Sequence, residues 1–168
     1  MRRKRLVLLL LLTGMVSIYG TCRYSLKDVS IPPEVKTVKV NLFENRARYV
    51  NPQLTPRLTD KLRQKIVNQT RLSQTNSDPH YEVSGVVTDY SVSTSGISNQ
   101  QSSSNNLNIT VHLIFVNRLD TKKNFEADIT RNFPFSASLS LQQAEASLAD
   151  QIINNLSDEI FNRIFSNW

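Results

Sequence analysis

One sulfur nucleophile occurs in this 168-residue chain, Cys22, and its setting says what chemistry it can do. Arg2, Arg3, Lys4 and Arg5 form a basic run, Leu6 to Leu12 is almost wholly leucine and valine, and Thr13 to Thr21 leads to the cysteine. That order of positive, apolar and small-residue segments is the layout of a secretory signal. The apolar run is shorter than the roughly 20 residues a permanent membrane-spanning helix needs. A lone cysteine directly after such a segment reads as the residue that becomes the new N-terminus, carries acyl chains and tethers the protein to a membrane. Residues 1–21 are therefore the expected signal peptide and Cys22 the expected lipidation site; a plain signal peptide or an anchor helix is the alternative. Thr21 is small, as cleavage requires, whereas Tyr19 stands where a leucine-like residue is usual. A disulfide at Cys22 would need a second chain, and a catalytic thiol would need a base and defined surroundings.

The other reactive side chains are scattered. His80 and His112 are the only histidines and lie far apart, whereas a metal site needs several ligands at short spacing. Gly14, Gly20, Gly85 and Gly96 are the whole glycine supply, too sparse for a phosphate-cradling loop. Asp60, Asp89 and Asp128 are acids of the kind a solvated face carries. No catalytic residue, metal or cofactor is expected, and the chain reads as a non-enzyme.

Charge narrows the partners. The chain has 20 basic and 14 acidic residues, a net charge of +6; taking away Arg2, Arg3, Lys4 and Arg5 leaves 16 against 14, or +2. That is far from the basic footprint of a nucleic-acid binder, and no nucleic-acid partner is expected. The remaining handles are Arg46 and Arg48, and a second group of Arg118, Lys122 and Lys123. Ordinary solubility accounts for them, or else they meet phosphate groups through charge-assisted hydrogen bonds.

These residues must be positioned by the elements that periodicity predicts. Residues 22–34 read as an extended linker, stiffened by Pro32-Pro33. From Val35 the chain alternates, with Val38, Val40 and Leu42 on one side of a strand, followed by a polar loop over Glu44 to Val50. Asn51-Pro52 and Thr55-Pro56 both look like helix starts, and Leu54, Leu58, Leu62 and Ile66, with Val67 beside the last, form a one-sided stripe. Strands are predicted over Tyr81 to Val92, Leu107 to Val116 and Phe125 to Phe135, the last two joined as an antiparallel hairpin through Asn117 to Asn124. Gly85 suggests a bulge or a close backbone approach. Ser93 to Asn106 is nearly all Ser, Asn, Gln, Thr and Gly, and is expected to be mobile, as a long loop or as ragged extensions of both strands. Ser140-Leu141-Gln142-Gln143 is a capping box opening a helix whose stripe runs from Leu141 to about Phe165. The expected fold is α+β, a two-layer sandwich of one mostly antiparallel four-stranded sheet with two helices on one face, in a single domain over residues 35–168.

With these pieces in order, the chain resembles the LPS-assembly lipoprotein family (LptE), in the form found in Bacteroidetes. The resemblance rests on Cys22 followed by Tyr24-Ser25, on Ile31-Pro32-Pro33-Glu34-Val35-Lys36-Thr37, and on Phe43-Glu44-Asn45-Arg46 with Val50-Asn51-Pro52. It extends to Asp158-Glu159-Ile160-Phe161-Asn162-Arg163 and the closing Phe165-Ser166-Asn167-Trp168. It implies a lipid-anchored protein on the periplasmic face of the outer membrane. There it would sit as a plug within a large β-barrel partner (LptD-like) and help deliver lipopolysaccharide to the outer leaflet. Arg118, Lys122 and Lys123 are the candidate contacts to lipopolysaccharide phosphates, chosen by charge and loop position. An envelope lipoprotein with an unrelated ligand-binding or scaffold role on the same fold is the alternative.

Overall fold

The computed structural model describes residues 31–98 and 101–166, and the side chains of these apart from residues 95–98 and 101–103. Cys22, the signal segment and most of the linker lie outside the described residues, as do Asn167 and Trp168. The elements are β1 (Thr37–Val40), β2 (Glu44–Asn45), α1 (Leu54–Gln69), β3 (Ser73–Gln74), β4 (Tyr81–Ser98), β5 (Gln101–Asn117), a 3-10 turn (Thr121–Lys123), β6 (Phe125–Ser136) and α2 (Leu141–Phe165).

One six-stranded sheet runs in the order β3-β1-β4-β5-β6, with β2 also paired to β4. The long strands β4, β5 and β6 form an antiparallel meander, while β1, β2 and β3 add parallel pairs. The α+β sandwich with both helices on one face is therefore borne out, with six strands where four were expected. The extra two, β2 and β3, are two residues each, too short for any period to reveal.

The core is one layer deep. Leu107, Ile109, Val111 and Leu113 of β5 are fully enclosed, facing Leu58, Leu62 and Ile66 of α1 and Leu156 and Ile160 of α2. Alternation in β5 and a spacing of about four in the helices bring these residues to one interface. Ser140 caps α2, accepting from Gln143 N, and the Gln143 side chain reaches back to the Ser140 N–H as the sequence implied. α1 begins differently: neither Asn51 nor Thr55 is its cap. Gln53 occupies that position without a side-chain bond, and Asn51 Oδ1 instead accepts from Gln53 N (3.0 Å) two residues early. Val67 lies off the stripe and is exposed. The stiff approach predicted from Pro32-Pro33 is a turn, closed by Val35 N donating to Pro32 O at 3.0 Å.

The first strand also departs from simple alternation. Leu42 points outward, 61% exposed, and Phe43 turns inward, 1% exposed. The strand breaks after Val40, where Arg63 Nη2 reaches Val40 O (2.7 Å) and the buried Thr59 hydroxyl accepts from Phe43 N (3.1 Å). Two side chains of α1 thus take up backbone groups that the ladder leaves. The Phe43 ring then lies over Gly85, so the glycine marks a close approach; the bulge falls between Val87 and Asp89. The Ser/Asn/Gln stretch takes the second of its two expected shapes, since pairing continues to Ser98↔Gln101 with register shifts at Gly96.

A Cβ at Gly85 would come within 2.5 Å of Phe43 Cε2, and the ring has no free space to yield. Gly85→Ala should therefore destabilise the domain by about 1–3 kcal/mol, as overpacking does. Urea unfolding checks this, and Phe43→Leu in the same chain should recover part of the loss.

Candidate functional site

The sheet has a second face, and no described element covers it. Asn41, Glu82, Ser84, Thr88, Asn108, Thr110, His112, Glu126, Asp128 and Thr130 lie on it, half-buried or exposed, around a short apolar strip of Val86 and Ile114. Its side chains bond one another across strands: Asn41 Nδ2 donates to Glu82 Oε1 and Ser84 Oγ, both at 2.9 Å, and the Thr110 and Thr130 hydroxyls meet at 2.9 Å. His112 sits between two carboxylates, with Nδ1 2.7 Å from Asp128 Oδ1 and Nε2 3.3 Å from Glu126 Oε2. The bond to Asp128 pushes the imidazole above its ordinary range, with a smaller push from Glu126. The face is thus wet, ordered and able to form hydrogen bonds, and it includes Ser91, whose hydroxyl donates to Asp89 Oδ2 at 2.9 Å. His80 is structural: its Nδ1 accepts from Lys36 N at 3.0 Å. Among the described residues no three His, Cys, Asp or Glu side chains are placed to hold a metal ion together, and no helix is long and apolar enough to cross a membrane.

The candidate cations share the β5–β6 turn but differ in freedom. Asn117 and Asp120 shape that turn. Asn117 Oδ1 accepts from Leu119 N and Asp120 N, and Asp120 Oδ1 accepts from Lys122 N. Arg118 donates Nη2 to Glu82 Oε2 at 2.7 Å, and this bond, with that from Asn41, holds the Glu82 carboxyl below the usual carboxylate range. Lys122 and Lys123 are exposed, Lys123 only 4.0 Å from Asp120 and Lys122 in no ion pair among the described residues. The turn stands at the end of the sandwich where Ile31 enters, and Lys123 shares a groove there with Ile31, Phe125 and Arg163.

A second polar cluster, absent from the sequence reading, lies at the opposite end. Tyr90 of β4 donates its hydroxyl to Glu145 Oε1 of α2 (2.6 Å), and Asn51 Nδ2 donates to the same oxygen (3.0 Å). Tyr49 stacks on Tyr90 with ring centres 5.4 Å apart, and burial pushes both phenols above their ordinary range, aided by the Glu145 charge. The only sequence signal was Asn51-Pro52; Tyr90 and Glu145 are 55 residues apart and carry no motif.

Fold and surface together define a small two-layer α+β domain, one sheet face sealed and the other open and polar. The chain belongs to the LptE family, lipopolysaccharide-assembly, whose model matches residues 35–164. That family is one of non-enzymatic lipoproteins. Among solved structures, a minor lipoprotein from Acinetobacter baumannii is similar at 16% identity and TM-score 0.51, covering 77% of this chain and 91% of its own. A hypothetical protein from Chlamydia trachomatis is similar at 9% identity and TM-score 0.53, covering 77% and 95%. At such identities the likeness is one of fold. No curated protein matches the sequence.

The His112 geometry has a sign that can be tested. Because the folded state raises its pKa, the stabilisation is complete below the ordinary value of 6.5 and is lost as pH rises through the raised folded value. An NMR titration of the His112 ring should show that elevation, and Asp128→Asn should bring the midpoint down towards the ordinary value.

Proposed function

We propose that this protein is a lipopolysaccharide-assembly lipoprotein of the Bacteroidetes type. It is tethered through acylated Cys22 to the periplasmic side of the outer membrane and seated as a plug in a large β-barrel partner. The observation that carries this reading is the open sheet face. A plug surrounded by a water-filled lumen must present hydrogen-bonding groups that remain satisfied when wet, and Asn41, Thr110, His112 and Thr130 do so. The matching family model supplies the lipopolysaccharide. In this reading residues 1–21 are removed, residues 22–34 are the tether and the domain runs from 35 to 168.

The β5–β6 turn would meet lipopolysaccharide phosphates. Lys122 and Lys123 offer their ammonium groups, and Arg118, half exposed, keeps guanidinium donors beyond the one given to Glu82. The turn lies at the Ile31 end of the domain, so the tether would hold it near the periplasmic mouth of a barrel.

Affinity purification of the native chain from detergent-solubilised outer membranes tests the reading. A barrel-sized protein should co-purify at equal stoichiometry, and the N-terminal peptide should carry acyl chains on Cys22. Lys122→Glu with Lys123→Glu should leave the barrel bound while reducing lipopolysaccharide recovery. A purified chain with no barrel protein, or with an unmodified Cys22 sulfur, would contradict the reading.

A further inference from the structure

A cavity of about 300 Å³ opens where the loop after β2, the start of α1, the N-terminal half of α2 and Tyr90 of β4 converge. Its polar side is the cluster of Tyr49, Tyr90, Asn51 and Glu145, and its apolar side includes Leu54 and Ile152. The size is at the small end of ligand pockets, right for one or two rings.

The chemistry of the lining selects among ligands. Glu145 and Arg57 are the two charges that line the space, and Arg57 already shares its charge with Asp150 outside the lining, at 2.7 Å. An anion such as phosphate would face the Glu145 carboxylate with only a guanidinium already engaged by Asp150 to offset it. A wholly apolar ligand would strip water from Glu145 and Asn51 and return nothing. Glu145 Oε1 is occupied by Tyr90 and Asn51, but Oε2 receives only the long 3.3 Å bond from Tyr49 and has acceptor capacity to spare. Tyr49 is 38% exposed although stacked on the buried Tyr90, so the pair forms an aromatic wall beside the acceptor. A neutral ring with C–H groups on its faces and hydroxyls around its rim satisfies all of these. The C–H face lies on the aromatic ring and a hydroxyl donates to Oε2.

We propose that this cavity is a saccharide-binding subsite, with Tyr49 as the stacking wall and Glu145 as the hydroxyl acceptor. The saccharide chemistry stands on the geometry of the cavity, while the choice of envelope saccharides as its source rests on the proposed function. Envelope saccharide comes from two sources, the core of lipopolysaccharide and the glycan strands of peptidoglycan, and the same chemistry fits both.

Saturation-transfer NMR and titration on the full mature chain in detergent distinguish them, with two probes. One is lipopolysaccharide core oligosaccharide stripped of lipid and phosphate; the other is soluble peptidoglycan glycan fragments. At least one probe should receive saturation and identify the source. Its affinity should fall about tenfold or more in Tyr49→Ala and in Glu145→Gln, and stay within about twofold in Tyr49→Phe, which keeps the ring. Tyr49 is on a loop and Glu145→Gln is isosteric, so near-unchanged melting curves would assign the losses to binding. Saturation of neither probe, or equal binding by Tyr49→Ala and the unsubstituted chain, would overturn the proposal.

Discussion

The structure depends on one asymmetry: its sheet is sealed on one side and left wet on the other. Along β5, Leu107, Ile109, Val111 and Leu113 are fully enclosed beneath the helices, while the alternate residues Asn108, Thr110 and His112 stay half-open to solvent. Burying such a row against two helical stripes is the main source of stability, since each fully buried aliphatic side chain is worth roughly 1.5–3 kcal/mol. The opposite face contributes little to that core and is free to be specified by other demands. Its residues are held by cross-strand hydrogen bonds, so the face stays ordered without a cover.

The same asymmetry requires managed edges, because an open sheet invites pairing with other chains. On the β6 edge, Arg131 points to the helix side and pairs with Glu159 of α2, and Pro134 removes a backbone donor. At the other edge β3 is only two residues long. The helices are bound to each other by Arg57 with Asp150 and Lys65 with Asp158, and Lys65 also lies 5.3 Å from the Phe161 ring centre. The first pair is exposed and worth little energy, while Lys65 is largely covered, so its pair is the more firmly held. The open polar face is the surface that the proposed docking would use.

How much of this the sequence discloses follows the range of each interaction. The capping box at Ser140, the stripes of both helices and the alternation of β5 are local periods, and all are present as read except Val67, which falls off the α1 stripe. Interactions between distant segments are not legible that way. The outward turn of Leu42 and the inward turn of Phe43 depend on Thr59 and Arg63, which no pattern in β1 encodes. Gly85 announced a close approach without naming the Phe43 ring as its cause. Arg118 looked like a free cation, and only the fold brings Glu82 within 2.7 Å of it. The Tyr49, Tyr90 and Glu145 cluster joins three elements and left no mark beyond Asn51-Pro52.

The most direct measurement is site-specific photo-crosslinking in intact cells, with the reactive residue placed on each surface in turn. Positions 110 and 130 sample the open sheet face, while positions 64 and 154 sample the exposed backs of α1 and α2. The account predicts adducts the size of a large barrel protein from 110 and 130, and weak or none from the helix backs. Adducts formed only from 64 and 154 would mean that the helices are the docking surface and that the open face serves something else.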